Sequence, residues 1–460
     1  MTNGNIILTI TDNGRNTGND LVMQPHNLGW TQAGSEKDNM RYPRVFALHD
    51  PIYLSKSGLI PPYAPAPIIQ DEVEDYKDKQ FNDWAQSLNY PNSTKANWLF
   101  DRASAIAKVY IYTGKVRYLK EAFLSKQFYF EHVRNDGSEP APPGGNGCWT
   151  WDTTVCADSK YIYTQPAKLL LALAGDESQW TNELIIDMAL QADLGWNQYG
   201  TRDVFDSETE GFTERAAGLV GMTELFSYEI TGDTTVLGHM NERITSLKNM
   251  QQNEQVWDIS NSWTPKSGAF THSWGVHEGV YSSSSAPLGN TNDRSFSPWM
   301  SENIADFLWH AYWFTDNFDA PEMLRQLGNA IDRYGFTTSY NTTTKAYDRK
   351  SAFISMNSRS HPCIIDGEDL DLTYFASAYA DDVTLASDGK WFRWYTSDHD
   401  VEIMLPLATA YYFETDSSNQ ERLKARLDKL RLGLFTKGCA ETSSPPRRWN
   451  WQHRSNSVRT

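Results

Sequence analysis

Residues 219–247 read LVGMTELFSYEITGDTTVLGHMNERITSL, and they hold two helical stripes joined by a turn. Leu219 and Phe226 belong to the first stripe, and Met240, Ile244 and Leu247 at spacings of four and three belong to the second. This is the recurrence of a helix that buries one face. Between them stands Thr231-Gly232-Asp233, and glycine at a helix C-terminus supplies the left-handed residue needed there. The segment therefore predicts a helical hairpin.

Similar endings recur at VYIYTGK (109–115), LLALAGD (170–176), AYWFTDN (311–317) and YYFETDS (411–417), with Gly114, Gly175, Asp316 and Asp416 at the turn. A second amphipathic stretch follows each. The other stripes are carried by Val73, Tyr76, Phe81, Trp84 and Leu88; by Leu99, Ala103, Ile106 and Tyr110; and by Leu119 and Phe123. Further ones hold Leu170 and Leu171; Leu184 and Met188; Ile304, Leu308 and Tyr312; Leu324, Leu327 and Ile331; Leu372 and Phe375; Leu407 and Tyr411; and Leu423, Leu427, Leu430 and Leu434. The expected class is all-α, an array of helical hairpins over 71–435. Residues 1–70 lack helical period and read as an extension packed on that body, with β-like pieces at IILTI and RVFAL. Residues 436–460 form a tail whose PPRRWNWQHR segment is basic and aromatic, with its role left open.

Long connections interrupt the hairpin rhythm, and they hold the unusual residues. The richest runs from Phe270 to Trp299, FTHSWGVHEGVYSSSSAPLGNTNDRSFSPW, a non-periodic Ser/Gly/Asn-rich loop on a helical scaffold. Its end is marked by Ser297 and Pro298, a helix cap followed by proline at the first helical position. A second connection carries Trp149 and Trp151, which read either as sugar-stacking platforms or as plugs. A third, 196–214, brings Glu208, Glu210, Glu214 and Arg215 to a helix start, where acidic residues also suit the dipole.

Composition narrows the partner. With 17 Trp and 23 Tyr, aromatic rings exceed what a core requires, and amphipathic rings suit hydroxylated ligands such as sugars. The net charge of −17 opposes nucleic acid and anionic membranes. An acidic polysaccharide would then need local cations, whose field salt screens beyond about 8 Å. No run of apolar residues is long enough to span a bilayer. The opening MTNGNIILTITDNG lacks a basic leader and apolar segment, so the chain reads as cytoplasmic or as starting after a removed leader; with a polysaccharide substrate the expectation is a secreted or periplasmic monomer. Cys148, Cys156, Cys363 and Cys439 show no paired CxxC spacing, which argues against zinc, while Cys148 and Cys156 are close enough in sequence to permit a disulfide. No cofactor or metal is expected.

Phe270, His272, His277, Gly279 and Tyr281 follow the order F-x-H-x(4)-[YH]-x-G-x-Y. This resembles toroid-fold polysaccharide lyases of the hyaluronate, chondroitin and xanthan lyase type, and the set of Tyr, His, Arg and Glu resembles that of glucuronan and alginate lyases on related helical barrels; the six hairpins themselves resemble the (α/α)6 toroid of carbohydrate-active enzymes, with a superhelical solenoid of helix pairs as the alternative. The resemblance implies a ring of helix pairs around a cleft, with His272 and Tyr281 as catalytic residues and His277 in place of a usual aromatic. The chain departs from the pattern in having no clear upstream asparagine for the substrate carboxylate, and Arg294 lies unusually near the tyrosine.

The chemistry of the residues points the same way. Elimination from a uronate removes a weakly acidic proton beside a carboxylate, where negative charge then grows. Arg294 and a histidine are donors suited to that charge. Nearby cations favour the Tyr281 phenolate, which would take the proton and return it to the leaving oxygen. The expected site is therefore Tyr281, His272, Arg294, His277 and Glu210 for catalysis, with Trp149, Trp151, Trp274, Arg215 and Trp299 for binding an alginate- or glucuronan-type polymer.

Two alternatives stand beside it. A glycoside hydrolase would use a carboxyl pair drawn from Glu210, Glu278, Asp366, Glu368, Asp369 and Asp371, although GEDLD also reads as a solvated helix start. A non-catalytic glycan-binding protein would use the aromatic loops alone.

Overall fold

The computed structural model describes residues 53, 102–113, 118–119, 122–123, 126, 162–174, 182–197, 214–252, 268–270, 272–273, 294–296, 298–334, 338–341, 343, 346–349, 364–365, 368–369, 372–377, 393–396 and 403–435. Apart from Tyr53, the 1–70 extension lies outside these residues, as do the stripe at 73–88, the Cys148/Cys156 pair and the 436–460 tail.

Nine helices are present among the described residues: α1 (Arg102–Thr113), α2 (Gln165–Ala174), α3 (Asn182–Asn197), α4 (Glu214–Thr231), α5 (Thr234–Gln252), α6 (Pro298–Thr315), α7 (Ala320–Tyr334), α8 (Met404–Phe413) and α9 (Ser417–Phe435). Each matches a stripe in the sequence, so the helical character is confirmed. The turns agree in part. Gly232 has φ +70° and Asp316 has φ +52°, the left-handed conformation expected of both. Asp416 does not adopt it. Its Oδ1 instead accepts the N–H of Asn419 at 2.8 Å and caps the start of α9. Asp233 caps α5 likewise, accepting from Thr235 and Val236.

These tight turns fold consecutive helices back to back, and the cross-contacts show how the pairs assemble. Thr223 of α4 donates to the Ile162 carbonyl just before α2, and Lys168 further along α2 pairs with Glu229 further along α4. Between α4 and α6, Arg215 meets Trp299 and Phe226 meets His310. Contacts that advance together mean that α2, α4 and α6 run parallel in one layer. α8 extends this layer, with Phe413 against Trp309 and Tyr312 of α6. The helices α3, α5, α7 and α9 make a second layer, tied by Arg243 to Asp193, Gln251 to the Met323 carbonyl, and Arg422 and Arg426 to Asp332.

Two helices of the first layer are buried almost all round. Buried positions run unbroken from Pro298 to Ala311 in α6 and from Ala217 to Ser227 in α4. Such a helix needs neighbours on every side. α4 meets α6 through glycine: a Cβ on Gly218 would lie 2.3 Å from the Asn303 carbonyl carbon, and one on Gly221 2.7 Å from the Phe307 ring. Because the first obstacle is backbone, Gly218→Ala should lower stability by about 1–3 kcal/mol, read as a shifted urea midpoint, by forcing the helices apart.

Among the described residues, eight short strands stand beside the helices that the all-α expectation named. β1 (His272–Ser273), β2 (Arg294–Phe296), β7 (Leu372–Ser377) and β8 (Arg393–Thr396) form one antiparallel sheet in that order. β3 (Thr338–Asn341) pairs β4 (Ala346–Arg349), and β5 (Ile364–Ile365) pairs β6 (Glu368–Asp369). The Leu372/Phe375 stripe is thus a strand, and the GEDLD segment contributes β6 in place of a helix start. A short run with two apolar residues three apart fits either period, and Thr373, Tyr374 and Phe375 favour the extended form.

Tight turns close the C-terminal ends of α4, α6 and α8, here called the turn end. The connections 253–297 and 335–403, which carry all eight strands, enter α6 and α8 at the opposite, loop end.

At the turn end Glu414 is held by four donors: the N–H groups of Thr415 and Asp416, the Asn329 amide and the Arg325 guanidinium. Burial pushes its carboxyl up, but the Asp416 N–H, Asn329 and Arg325 together hold it below the ordinary value of 4.5. A lowered carboxyl contributes stability above its unfolded pKa, and that contribution disappears as pH falls through the folded one. Glu414→Gln should therefore cost about 1.5–3 kcal/mol at pH 7. It should also flatten the loss of stability below pH 4.5, as read from urea midpoints across that range.

Candidate active site at the loop end

The loop rich in chemistry is anchored at both stems. On the first, Gly268 has φ +90° and a Cβ there would lie 2.4 Å from the Gln326 carbonyl oxygen. The Gln251 amide binds the Gly268 and Met323 carbonyls, both at 2.9 Å. Ala269 and Phe270 follow into the core, so the phenylalanine that opens the F-x-H pattern is a packing residue. Gly268→Ala meets both left-handed strain and a backbone obstacle. It should cost more than about 2 kcal/mol by thermal or urea unfolding.

The second stem is β2, which leads into α6 at Pro298, the first helical position expected for that proline. β1 and β2 join the stems. His272 stands opposite Ser295 and Ser273 opposite Arg294, so His272 and Arg294 reach successive rungs of one ladder and fall on opposite faces of the sheet. β2 is paired on its other side with β7, through Ser295 with Ser377 and Phe296 with Ala376. The 274–293 excursion, with Trp274, His277 and Tyr281, therefore leaves from a pinned base.

Arg215 and Trp299, from separate connections, are brought together at the first turns of α4 and α6. The guanidinium carbon lies 5.6 Å from the indole centroid. Both side chains are buried, so this cation–π pair joins two helix starts. Glu214, in the first turn of α4, and Glu302, in the second turn of α6, are fully buried and are additional ionisable groups at this end. The other sequence candidates, Tyr281, His277, Glu210, Trp149, Trp151 and Trp274, lie outside the described residues, as do Glu278, Asp366 and Asp371.

A second charged centre was missed by the sequence reading. Arg243 of α5 holds Glu224 of α4 through two hydrogen bonds, at 3.0 and 2.9 Å, and Asp193 of α3 at 2.8 Å, all three buried. His239 Nδ1 lies 3.3 Å from Asp193. Burial opposes the charge on Arg243, but Glu224 and Asp193 outweigh it and hold the guanidinium above its ordinary value; burial pushes the Glu224 carboxyl up. Among the described residues, Asp193, Glu224 and His239 bring ligand atoms within 4.8 Å of one another. Arg243 already stands on both carboxylates, so a dication would have to displace a bonded cation, and the centre reads as an ionic brace. The signal was available: Arg243 lies between Met240 and Leu247 on the apolar stripe, where a charge implies a buried partner.

No protein-family model matches the sequence, and neither the curated proteins nor the solved structures include a significant match to it. Among the described residues, no helix is long and apolar enough to cross a membrane.

Proposed function

We propose that this protein is a polysaccharide lyase that cleaves a uronic-acid polymer of the alginate or glucuronan type by β-elimination. The supporting observation is the β1–β2 pairing, which ties the base of the loop holding Tyr281; its register sets His272 and Arg294 on opposite faces of the ladder, so one of the two shares the substrate's face. In this reading the two-layered array closes into a toroid whose loop end receives the polymer. Tyr281 removes the proton beside the uronate carboxylate and protonates the leaving oxygen. His277 and whichever of Arg294 and His272 shares the substrate's face stabilise the developing charge. Arg215 and Trp299 set the helix starts beneath the site. Such a substrate goes with a secreted or periplasmic monomer that needs no cofactor.

A glycoside hydrolase is the second reading, favoured by Glu214 and Glu302 in the first two turns of neighbouring helices. Their complete burial counts against a carboxyl pair flanking a sugar chain.

Incubation with alginate, glucuronan and other uronate polymers, followed by ultraviolet absorbance, tests the proposal. An unsaturated product supports the lyase; new reducing ends without absorbance would show a hydrolase. Binding with neither product would leave a glycan-binding protein. Of His272→Gln and Arg294→Gln, the one on the substrate's face should lower turnover by about 10²-fold, the scale of one preorganised donor, and the other should change it little. Full activity in both variants would remove the ladder from the site.

A further inference from the structure

The turn end carries an aromatic cluster that the proposed reaction does not use. Trp309 is buried at its centre, with Trp313, Tyr412 and Phe413 at 5.6, 5.7 and 5.8 Å between centroids. Trp313 is 40% exposed and Tyr412 61%, an apolar surface of the kind that marks a contact. Trp313 and Tyr412 each stand edge-on to Trp309, at 76° and 84°. Clefts between crossed rings suit another aromatic ring or a guanidinium.

The rim is acidic. Asp316, Asp319, Glu322, Glu414 and Asp416 lie at this end, and the cations bonded among them are Lys248, on Asp319, and Arg325, shared by Glu322 and Glu414.

We propose that the chain's own segment 445–454, PPRRWNWQHR, docks on this cluster, with Trp449 and Trp451 between the exposed rings and Arg447 and Arg448 toward the acidic rim. Its chemistry complements the surface in both respects. Reach permits it: α9 starts at the turn end, and its 19 residues carry the chain about 28 Å away. Residues 436–447 span about 40 Å when extended, which is enough to return.

Hydroxyl-radical footprinting of the full chain, with oxidised peptides mapped by mass, reads the exposure of Trp313 and Tyr412 directly. The expected result is oxidation several-fold slower in the native chain than in a variant carrying R447E, R448E, W449A and W451A. Reciprocally, W313A with Y412A should speed the oxidation of Trp449 and Trp451. Circular dichroism checks that each variant keeps its helices. Equal rates in native and tail-substituted chains would overturn the proposal. So would protection that grows with protein concentration, which means a second copy, or that requires added oligosaccharide, which means a glycan. None of these readouts depends on lyase activity.

Discussion

Tyr281→Phe should lower release of the unsaturated product by about 10²–10⁴-fold, the range that proton transfer by a positioned side chain contributes. The substitution removes one oxygen and keeps the ring, so loop packing and substrate affinity should change little. The loss should therefore fall on kcat, with the circular dichroism spectrum and the unfolding midpoint unchanged. An unperturbed phenol with a pKa near 10 is a poor base at neutral pH, so native activity should rise with pH until the phenolate is populated. That rise should vanish with the hydroxyl. A variant retaining most of its turnover would show that another group takes the proton, and the reaction would need a different base.

Arg243→Met should cost about 3–5 kcal/mol, the scale of a buried ion pair that loses one partner. Methionine fills much of the volume, so the loss is mainly electrostatic. Glu224 and Asp193 stay in the core without the guanidinium that bonds both. The sign of the pH dependence follows. In the variant, burial raises the folded-state pKa of the Glu224 carboxyl above its unfolded value. The folded chain then keeps protons that the unfolded chain releases, and stability declines as pH rises from the unfolded value through the folded one. Urea midpoints should therefore differ more between native and variant protein at pH 8 than at pH 4. Adding Glu224→Gln and Asp193→Asn should recover part of the loss. A variant as stable as the native chain at pH 8 would mean that the brace contributes nothing net.

The same contrast between local and long-range information explains what could be read in advance. The stripes of α4 and α5 and the left-handed residue between them are set by neighbours in sequence, and they appear as expected. Pro298 likewise begins α6, because proline suits a position whose N–H would have no helical partner. Leu372 and Phe375 were assigned the wrong period because a short apolar run satisfies both, and pairing with β2 and β8 decides for a strand. Phe270, read as part of a catalytic pattern, is a core residue. Arg215 and Trp299, expected at a sugar surface, are buried against each other, a pairing invisible from two separate connections.

By itself, the amino-acid order determined the helices, their turns and the loop where the reactive side chains gather, since periodicity, capping and backbone preference act over a few residues. Only the tertiary structure decided that the helices form two parallel-running layers, that His272 and Arg294 stand on adjoining rungs, and that Arg243 joins three helices. Those outcomes depend on contacts between residues far apart in the chain, and no local preference encodes which distant partner a buried charge or strand will find.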